Sequence, residues 1–416
     1  MAVRTKPSWA VPLVLLALGG SAGAAEAVTR ATTRPAATRP TTLVVAAGSV
    51  DRRDSIVTFD IAAGTLGPSC LLSDPVSRES VPLQIGPDGK ATFQLSDLKA
   101  GQTRTYAITV PTTPPPDAAV VAERTATGVD IRSGTQLAVG YRGEKGEPPP
   151  GFEPQYARGG YLHPLVTPAG VTVTDDYPVI HKHHHGVWAP WTKTEFEGRK
   201  PDFWNMGTKT GTVEFVRVTG TWSGVAAAGF AAEHRFVDLT AKPEPKVALN
   251  ETWRVDVYAT PGGPYRLLDL ALVQTCASDS PLKLPKYQYG GLGVRGPGSF
   301  NGADQSRFLT SEGKDRSTGN DSRARWVANA GVTQGRQAYV AVLCAPDNFR
   351  APQPVRLHPT EPFMCYAPPI AGDFVIEPGK PYVARYRIVA GDGEPDPAEL
   401  NRLWADYADP AVVVTR

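Results

Sequence analysis

Val247-Ala248-Leu249-Asn250-Glu251-Thr252-Trp253-Arg254-Val255-Asp256-Val257-Tyr258 alternates in character along most of its length. On an extended chain Val247, Leu249, Glu251, Trp253, Val255 and Val257 share one side, and Asn250, Thr252, Arg254, Asp256 and Tyr258 the other. A period of two belongs to a strand with one buried face, whereas a helix of this sequence would scatter its apolar residues round the whole cylinder. The stretch therefore predicts a long antiparallel strand against a core. Glu251 is a carboxylate in an otherwise apolar row. A buried carboxylate has a raised pKa and suits general acid or base work; pairing with an arginine, or a place at the strand's edge, is the plainer reading. The opposite face is polar enough to line a groove or to meet solvent.

Further strand signals recur at residues 171–174, 212–218, 234–239, 267–275, 338–344 and 382–389, without βαβ alternation. Upstream, residues 43–112 carry shorter apolar runs split by Gly, Pro, Asp and Ser, the spacing of a small antiparallel β-sandwich. A proline-rich hinge at residues 111–117 follows. Near the end, Asp396-Pro397-Ala398-Glu399 reads as a capping box with proline at the first helical position, and Leu400, Leu403, Trp404 and Tyr407 form an apolar stripe. The expected fold is all-β. A large antiparallel β-sandwich over residues 118–416, closed by a C-terminal helix, stands behind the small one.

The chain opens with the marks of an export signal over residues 1–27. Arg4 and Lys6 precede an apolar run at residues 9–18, and Ala22-Gly23-Ala24 or Ala25-Glu26-Ala27 offers a small-residue cleavage site. Residues 28–42, rich in Ala, Thr, Arg and Pro, read as a disordered linker. No later apolar run approaches the roughly twenty residues of a membrane span, so a periplasmic or secreted protein is expected. The 41 glycines and 40 prolines require many turns. With 43 basic against 41 acidic residues and no basic block, nucleic acid and anionic membrane are not expected partners. Cys276, Cys344 and Cys365 leave one disulfide or a set of buried thiols equally open, with Cys70 standing apart.

Four of the 7 histidines fall in His181-Lys182-His183-His184-His185, directly before Gly186. Imidazole ligates metals, moves protons and hydrogen-bonds polar ligands at neutral pH, so this crowding marks the candidate site. In an extended conformation His181, His183 and His185 share a face and could hold zinc or copper, with His184 pointing away. Proton transfer to a polar substrate, metal ligation and a solvated loop are the competing readings. Tyr161-Leu162-His163-Pro164 lies just upstream, and Trp188, Trp191 and Trp204 follow. Tryptophan faces stack on sugar rings while histidine and carboxylate reach the hydroxyls, although each ring taken singly fits a core. Gly291 to Gly296 spells a formal GxGxxG, but Pro297 and Gly298 prevent a helix from starting there, so the dinucleotide reading fails. Those glycines fit a close turn, with Tyr289 and Arg295 as ligand contacts. No GxSxG elbow is present.

Tyr161-Leu162-His163-Pro164-Leu165, residues 181–188 with Asp202-Phe203-Trp204-Asn205, Tyr289-Gly290-Gly291-Leu292-Gly293-Val294-Arg295 and the strand from Pro378-Gly379-Lys380 to Arg387 carry a resemblance. Over residues 118–416 the chain resembles an exported bacterial family of undetermined function known as PmoA-like, or "methane oxygenase PmoA". The resemblance implies a large sandwich similar to those of mutarotases and polysaccharide lyases, among exported proteins of polysaccharide-degrading bacteria. A methane monooxygenase subunit is an integral membrane protein, and without a spanning run that activity is set aside.

The sequence thus points to an exported carbohydrate-active enzyme, a lyase or hydrolase using histidine acid-base chemistry with or without a divalent metal. His181, His183 and His184 form the catalytic group, His163 and Glu251 assist, and Trp188, Trp204, Tyr289 and Arg295 make the substrate platform. A metal would sit on His181, His183 and His185. The rivals are a non-catalytic glycan-binding protein and a periplasmic metal-binding protein. The histidines are expected on an accessible loop, where substitution changes rate and leaves stability alone. Intact mass spectrometry of exported material is expected to show a chain starting near Val28; a chain still starting at Met1 would contradict the leader.

Overall fold

The computed structural model describes residues 41–61, 66–67, 69–110 and 118–416, and the protein is all-β. The segments expected to form a leader and a linker, through residue 40, and the expected hinge at residues 111–117 lie outside the described residues. Thr42, read from sequence as linker, already opens the strand Thr42–Ala46 and pairs with Ala107.

Two eight-stranded antiparallel sheets and a small three-stranded one, Glu195–Phe196, Leu282–Leu284 and Phe374–Ile376, form the large unit. The first runs in the order Gly211–Trp222, Ala227–Asp238, Lys246–Tyr258, Tyr265–Cys276, Tyr382–Asp392, Arg336–Cys344, Trp326–Thr333, Ser306–Thr310. The second runs Val355–Leu357, Phe363–Tyr366, Leu292–Arg295, Val187–Trp188, Tyr161–Leu165, Gln136–Arg142, Gly128–Ser133, Val120–Arg124. Their inward side chains merge into one core, where Tyr141 of the second sheet meets Phe230 of the first at 4.4 Å between ring centroids. Val171, Val173 and Thr174 are buried but the segment adds no strand; it is tied to the sheet by a bridge between Val166 and Thr172, by Val173 N donating to Leu165 O (2.9 Å) and by Leu165 N donating to Thr174 Oγ1 (3.0 Å).

Lys246–Tyr258 lies inside the first sheet with a neighbour on each side. Leu249, Trp253, Val255 and Val257 are buried, as alternation requires. Val247 departs from the row because the register slips between Phe236 and Val237, leaving Ala248 as an extra buried residue. The polar face neither lines a groove nor simply meets solvent: Arg254 reaches Asp88 of the first unit at 2.6 Å and pairs with Asp256.

That first unit is a single seven-stranded sheet ordered Arg52–Asp60, Lys90–Leu98, Ser80–Ile85, Ser69–Ser73, Thr103–Thr109, Thr42–Ala46, Val412–Thr415. Its apolar face forms one cluster around Phe93, Leu83 and Tyr106. The last strand, placed by sequence with the large unit, pairs instead with Thr42–Ala46. Gln84 joins the units, accepting from the amides of Ala226 and Ala227 and donating to the carbonyl of Ala227.

Helix Pro397–Ala408 is capped by Asp396, whose carboxylate accepts from Ala398 N at 2.9 Å. Glu399 does not close the box; it accepts from Tyr265 and Arg402. Cys276, Cys344 and Cys365 form no disulfide, and burial raises the thiols of Cys344 to about 11 and Cys365 to about 12.

Glu251 sits in a directed chain of hydrogen bonds. Tyr141 donates to His234 Nε2 (2.6 Å), and His234 Nδ1 donates to Glu251 (3.0 Å). From the other side Trp191 Nε1 donates to Gln274 (2.7 Å) and Gln274 to Glu251 (2.7 Å). Every link is buried and every donor has an acceptor, so this polar line ties the two sheets without an orphaned group. Glu251→Ala strands His234 and Gln274 and is expected to cost about 1–3 kcal/mol for each, read as a drop in unfolding free energy in urea. A total loss below about 1 kcal/mol would show that the chain does not hold the sheets.

Candidate functional site

The site grows from three neighbouring strands of the second sheet, in which Val187 faces Leu162 on one side and Val294 on the other. Their close approach requires glycine: a Cβ on Gly186 would lie 2.0 Å from the Leu162 carbonyl, and one on Gly291 2.3 Å from that of Tyr366. The formal GxGxxG is therefore the entry to a buried strand, Leu292–Arg295, whose last residue is a fully buried arginine.

The histidine run entering Val187 is not extended. His181 N bonds Pro178 O (3.0 Å) and His184 N bonds His181 O (2.8 Å), so the chain folds back on itself and the expected shared face of His181, His183 and His185 does not form. His181 instead stacks on His184 with ring centroids 4.7 Å apart and planes 8° from parallel. His184 stacks on Phe363 in turn at 4.6 Å. His183 stands edge-on to His181 and His184, and His358 edge-on to His181 at 5.7 Å.

Hydrogen-bond partners assign the tautomers. His181 Nδ1 donates to Glu361 Oε2 at 2.8 Å, which leaves Nε2 as an open acceptor. His358 Nδ1 accepts from the amides of Glu361 (3.1 Å) and Thr360 (3.4 Å), which places its proton on Nε2. A proton acceptor thus stands beside a proton-bearing nitrogen. Glu361 is also bound by Arg295 Nη1, while Arg295 Nη2 donates to Asn301 at 2.8 Å. Burial pushes the Glu361 carboxyl up, but the Arg295 hydrogen bond and charge, with His181 beside it, hold it below the usual carboxylate range.

His185 leaves the cluster. Its Nδ1 donates to Asp176 (2.7 Å), and its ring lies between Tyr161 and Tyr177, 4.7 Å from each. His163 is bound to Thr174 at 3.0 Å. The metal set of His181, His183 and His185 is accordingly not assembled: the ligand atoms that converge, all within 4.8 Å of one another, belong to His181, His358 and Glu361. Glu251 is likewise absent from the turn, being committed to His234 and Gln274.

Trp188, Trp204, Tyr289 and Arg295 do come together with the turn. Trp188 and Trp204 lie 5.2 and 6.1 Å from the His184 ring, and Tyr289 lies 5.9 Å from Trp204. Trp188 and Trp204 are buried in a cluster with Phe363, however, so they present no open face. The accessible aromatics are Tyr289, half-buried under the Arg356 guanidinium, and Tyr287 beside it at 5.9 Å. Sequence reasoning missed Glu361. Its signal was a histidine and a glutamate three residues apart around a proline, His358-Pro359-Thr360-Glu361.

Residues 128–405 match the model of a family described as "Family of unknown function (DUF6807)". Nothing among the curated proteins matches. Among solved structures, an alpha-mannosidase from Enterococcus faecalis V583 aligns with TM-score 0.44 and 10% identity over 91% of this chain and 46% of its own. A Glycosyl Hydrolase Family 38 protein from Enterococcus faecalis gives 0.43 and 9% over 91% and 47%. A GH36 alpha-galactosidase from Geobacillus stearothermophilus gives 0.29 and 11% over 81% and 41%. This chain spans less than half the length of each of the three.

The site holds His183, His184 and His185 neutral. Burial, reinforced by the neighbouring His181, lowers His183 to about 3; burial also lowers His184 and His185, although Asp176 pulls His185 the other way. These groups take up protons on unfolding at a pH where the folded protein excludes them. The unfolded state therefore binds more protons below its histidine pKa of 6.5, and stability falls as pH drops from there towards about 3. Depression of Glu361 acts in the same direction, below the ordinary 4.5. Thermal midpoints measured in steps from pH 7 to pH 4 are expected to decline steadily, and a flat profile would contradict the neutral stack.

Proposed function

The chain belongs to DUF6807, a family of unknown function, and from its site we propose that it is a carbohydrate-active enzyme, a lyase or hydrolase working by histidine acid-base chemistry. The observation that carries this reading is the Arg295–Glu361–His181 line ending beside His358. His181 Nε2 takes a proton from substrate or water, and Glu361 stabilises the imidazolium as it forms. Arg295 keeps Glu361 ionised and in place. His358 donates its Nε2 hydrogen to the oxygen on which charge develops or which departs. His183, kept neutral, offers a further hydrogen-bonding nitrogen at the partly open rim.

The ligand class follows from the rim. Neutral imidazoles with Tyr287 and Tyr289 suit hydroxyls and the apolar edge of a sugar ring better than a multiply charged molecule. The leader-like start of the chain supports a periplasmic or secreted location. One observation favours a second reading: the convergence of His181, His358 and Glu361 fits a divalent zinc or copper ion, provided His358 gives up the tautomer set by its backbone partners.

A screen of oxidised and unmodified glycosides supplies the substrate. His181→Ala and His358→Ala are then expected to lower kcat by about 10²–10⁴-fold with little change in KM. His184→Ala, in contrast to the loop expected from sequence, removes a buried stacking ring and is expected to lower the thermal midpoint as well. Full turnover by His181→Ala would sink the acid-base assignment, and glycan binding without turnover would make the protein a binding module. Loss of activity on chelation, restored by zinc or copper, would select the metal reading.

A further inference from the structure

A recess of about 680 Å³ opens where the strands Arg52–Asp60 and Lys90–Leu98 of the first unit meet the eight-stranded sheet of Tyr265–Cys276, the loop at residues 260–265 and the C-terminal helix, and no residue of the histidine site lines it. We propose that this cleft binds a ligand bearing primary ammonium groups along a polar body, an oligoamine or an amino-sugar oligomer.

Five carboxylates, Asp54, Asp392, Glu394, Asp396 and Glu399, line the cleft against two guanidiniums, Arg53 and Arg402. Both guanidiniums are neutralised locally: each binds Glu399, and Arg402 binds Asp406 as well, while Glu394 is paired with Arg307 outside the cleft lining. Asp392 accepts only from neutral donors, Thr167 Oγ1 and Ala169 N, and Asp396 accepts from Ala398 N. Asp392 and Asp396 thus line the cleft outside any ion pair, Asp392 acting on the Arg266 guanidinium only through space. Asp54 adds an exposed carboxylate on a left-handed backbone (φ 49°). Asp396 also occupies the helix N-terminus, so that end offers no anion site.

Tyr339 supplies the independent observation. Tyr339 is only 5% exposed and lines the cleft, and its hydroxyl makes no hydrogen bond among the described residues. The ring lies flat over Gly391, where a Cβ would come within 2.2 Å of it. Burial, followed by the charges of Tyr265, Glu399 and Asp392, pushes the Tyr339 phenol up, so the hydroxyl stays protonated and its lone pairs remain for an N–H donor. Tyr265 adds a second aromatic face for a cation.

Size and spacing select the ligand class. The volume lies in the range of small-molecule sites. The cleft carboxylates surround this space without converging as ion ligands; among the described residues such convergence is found at His181, His358 and Glu361. A compact metal ion is thus a poor occupant, and a body with separated positive groups a good one.

Titration calorimetry of the full chain with spermidine and with the β-1,4-linked glucosamine dimer tests this, the N-acetylated dimer serving as neutral control. Heat is expected from at least one amine, with affinity falling as salt rises, and none from the acetylated dimer. Binding of spermidine alone assigns an oligoamine, and binding of the dimer alone an amino sugar. Asp54→Asn, which keeps a residue tolerant of the left-handed backbone, and Tyr339→Phe are each expected to weaken binding at least about fivefold without moving the thermal midpoint. His181→Ala is expected to bind as the parent does, which keeps this result separate from the fate of the acid-base site. No heat from either amine at millimolar concentration, equal binding of the acetylated dimer, or indifference to both Asp54→Asn and Tyr339→Phe would overturn the proposal.

Discussion

A guanidinium with no exposure to solvent dictates the arrangement of the histidine site. Arg295 ends a buried strand, and its charge is tolerable only because Glu361 and Asn301 meet it there. Glu361 is held by that bond, its own amide fixes His358, and its second commitment orients His181. The stacked rings of His181, His184 and Phe363 then lean on partners already fixed in place. Without Arg295 the buried carboxylate would keep the His181 hydrogen bond but lose its charged partner.

The polar line from Tyr141 to Trp191 has a related role one layer deeper. It joins the two sheets, and Trp191 sits three residues beyond Trp188 on the segment that leaves the histidine turn. An apolar core alone permits small slides of one sheet on the other. Directed hydrogen bonds with each donor matched to one acceptor do not, so the segment that carries the site is fixed relative to both sheets.

The fold was legible because alternation is local: the period of two at Leu249 to Val257 needs no knowledge of distant residues. The slip at Val247 was not legible, since a bulge depends on the facing strand. At the site, residue type was readable and conformation was not. The histidines were conspicuous, yet the turn that stacks them depends on a bond from His184 N back to His181 O, and Glu361 lies 180 residues from the imidazole it orients. Trp188 and Trp204 were read as open faces because nothing in their neighbourhood announces Phe363, which covers them from another strand.

The pairing of Thr42–Ala46 with Val412–Thr415 bears on how the chain is made. Thr42–Ala46 leaves the ribosome well before its outer neighbour, since Leu43 pairs with Thr415. Throughout synthesis that edge shows free amides and carbonyls, the surface on which strands of separate molecules join. The first unit can bury its apolar face while waiting, but its border closes only when the C-terminal helix has docked and the last strand follows it.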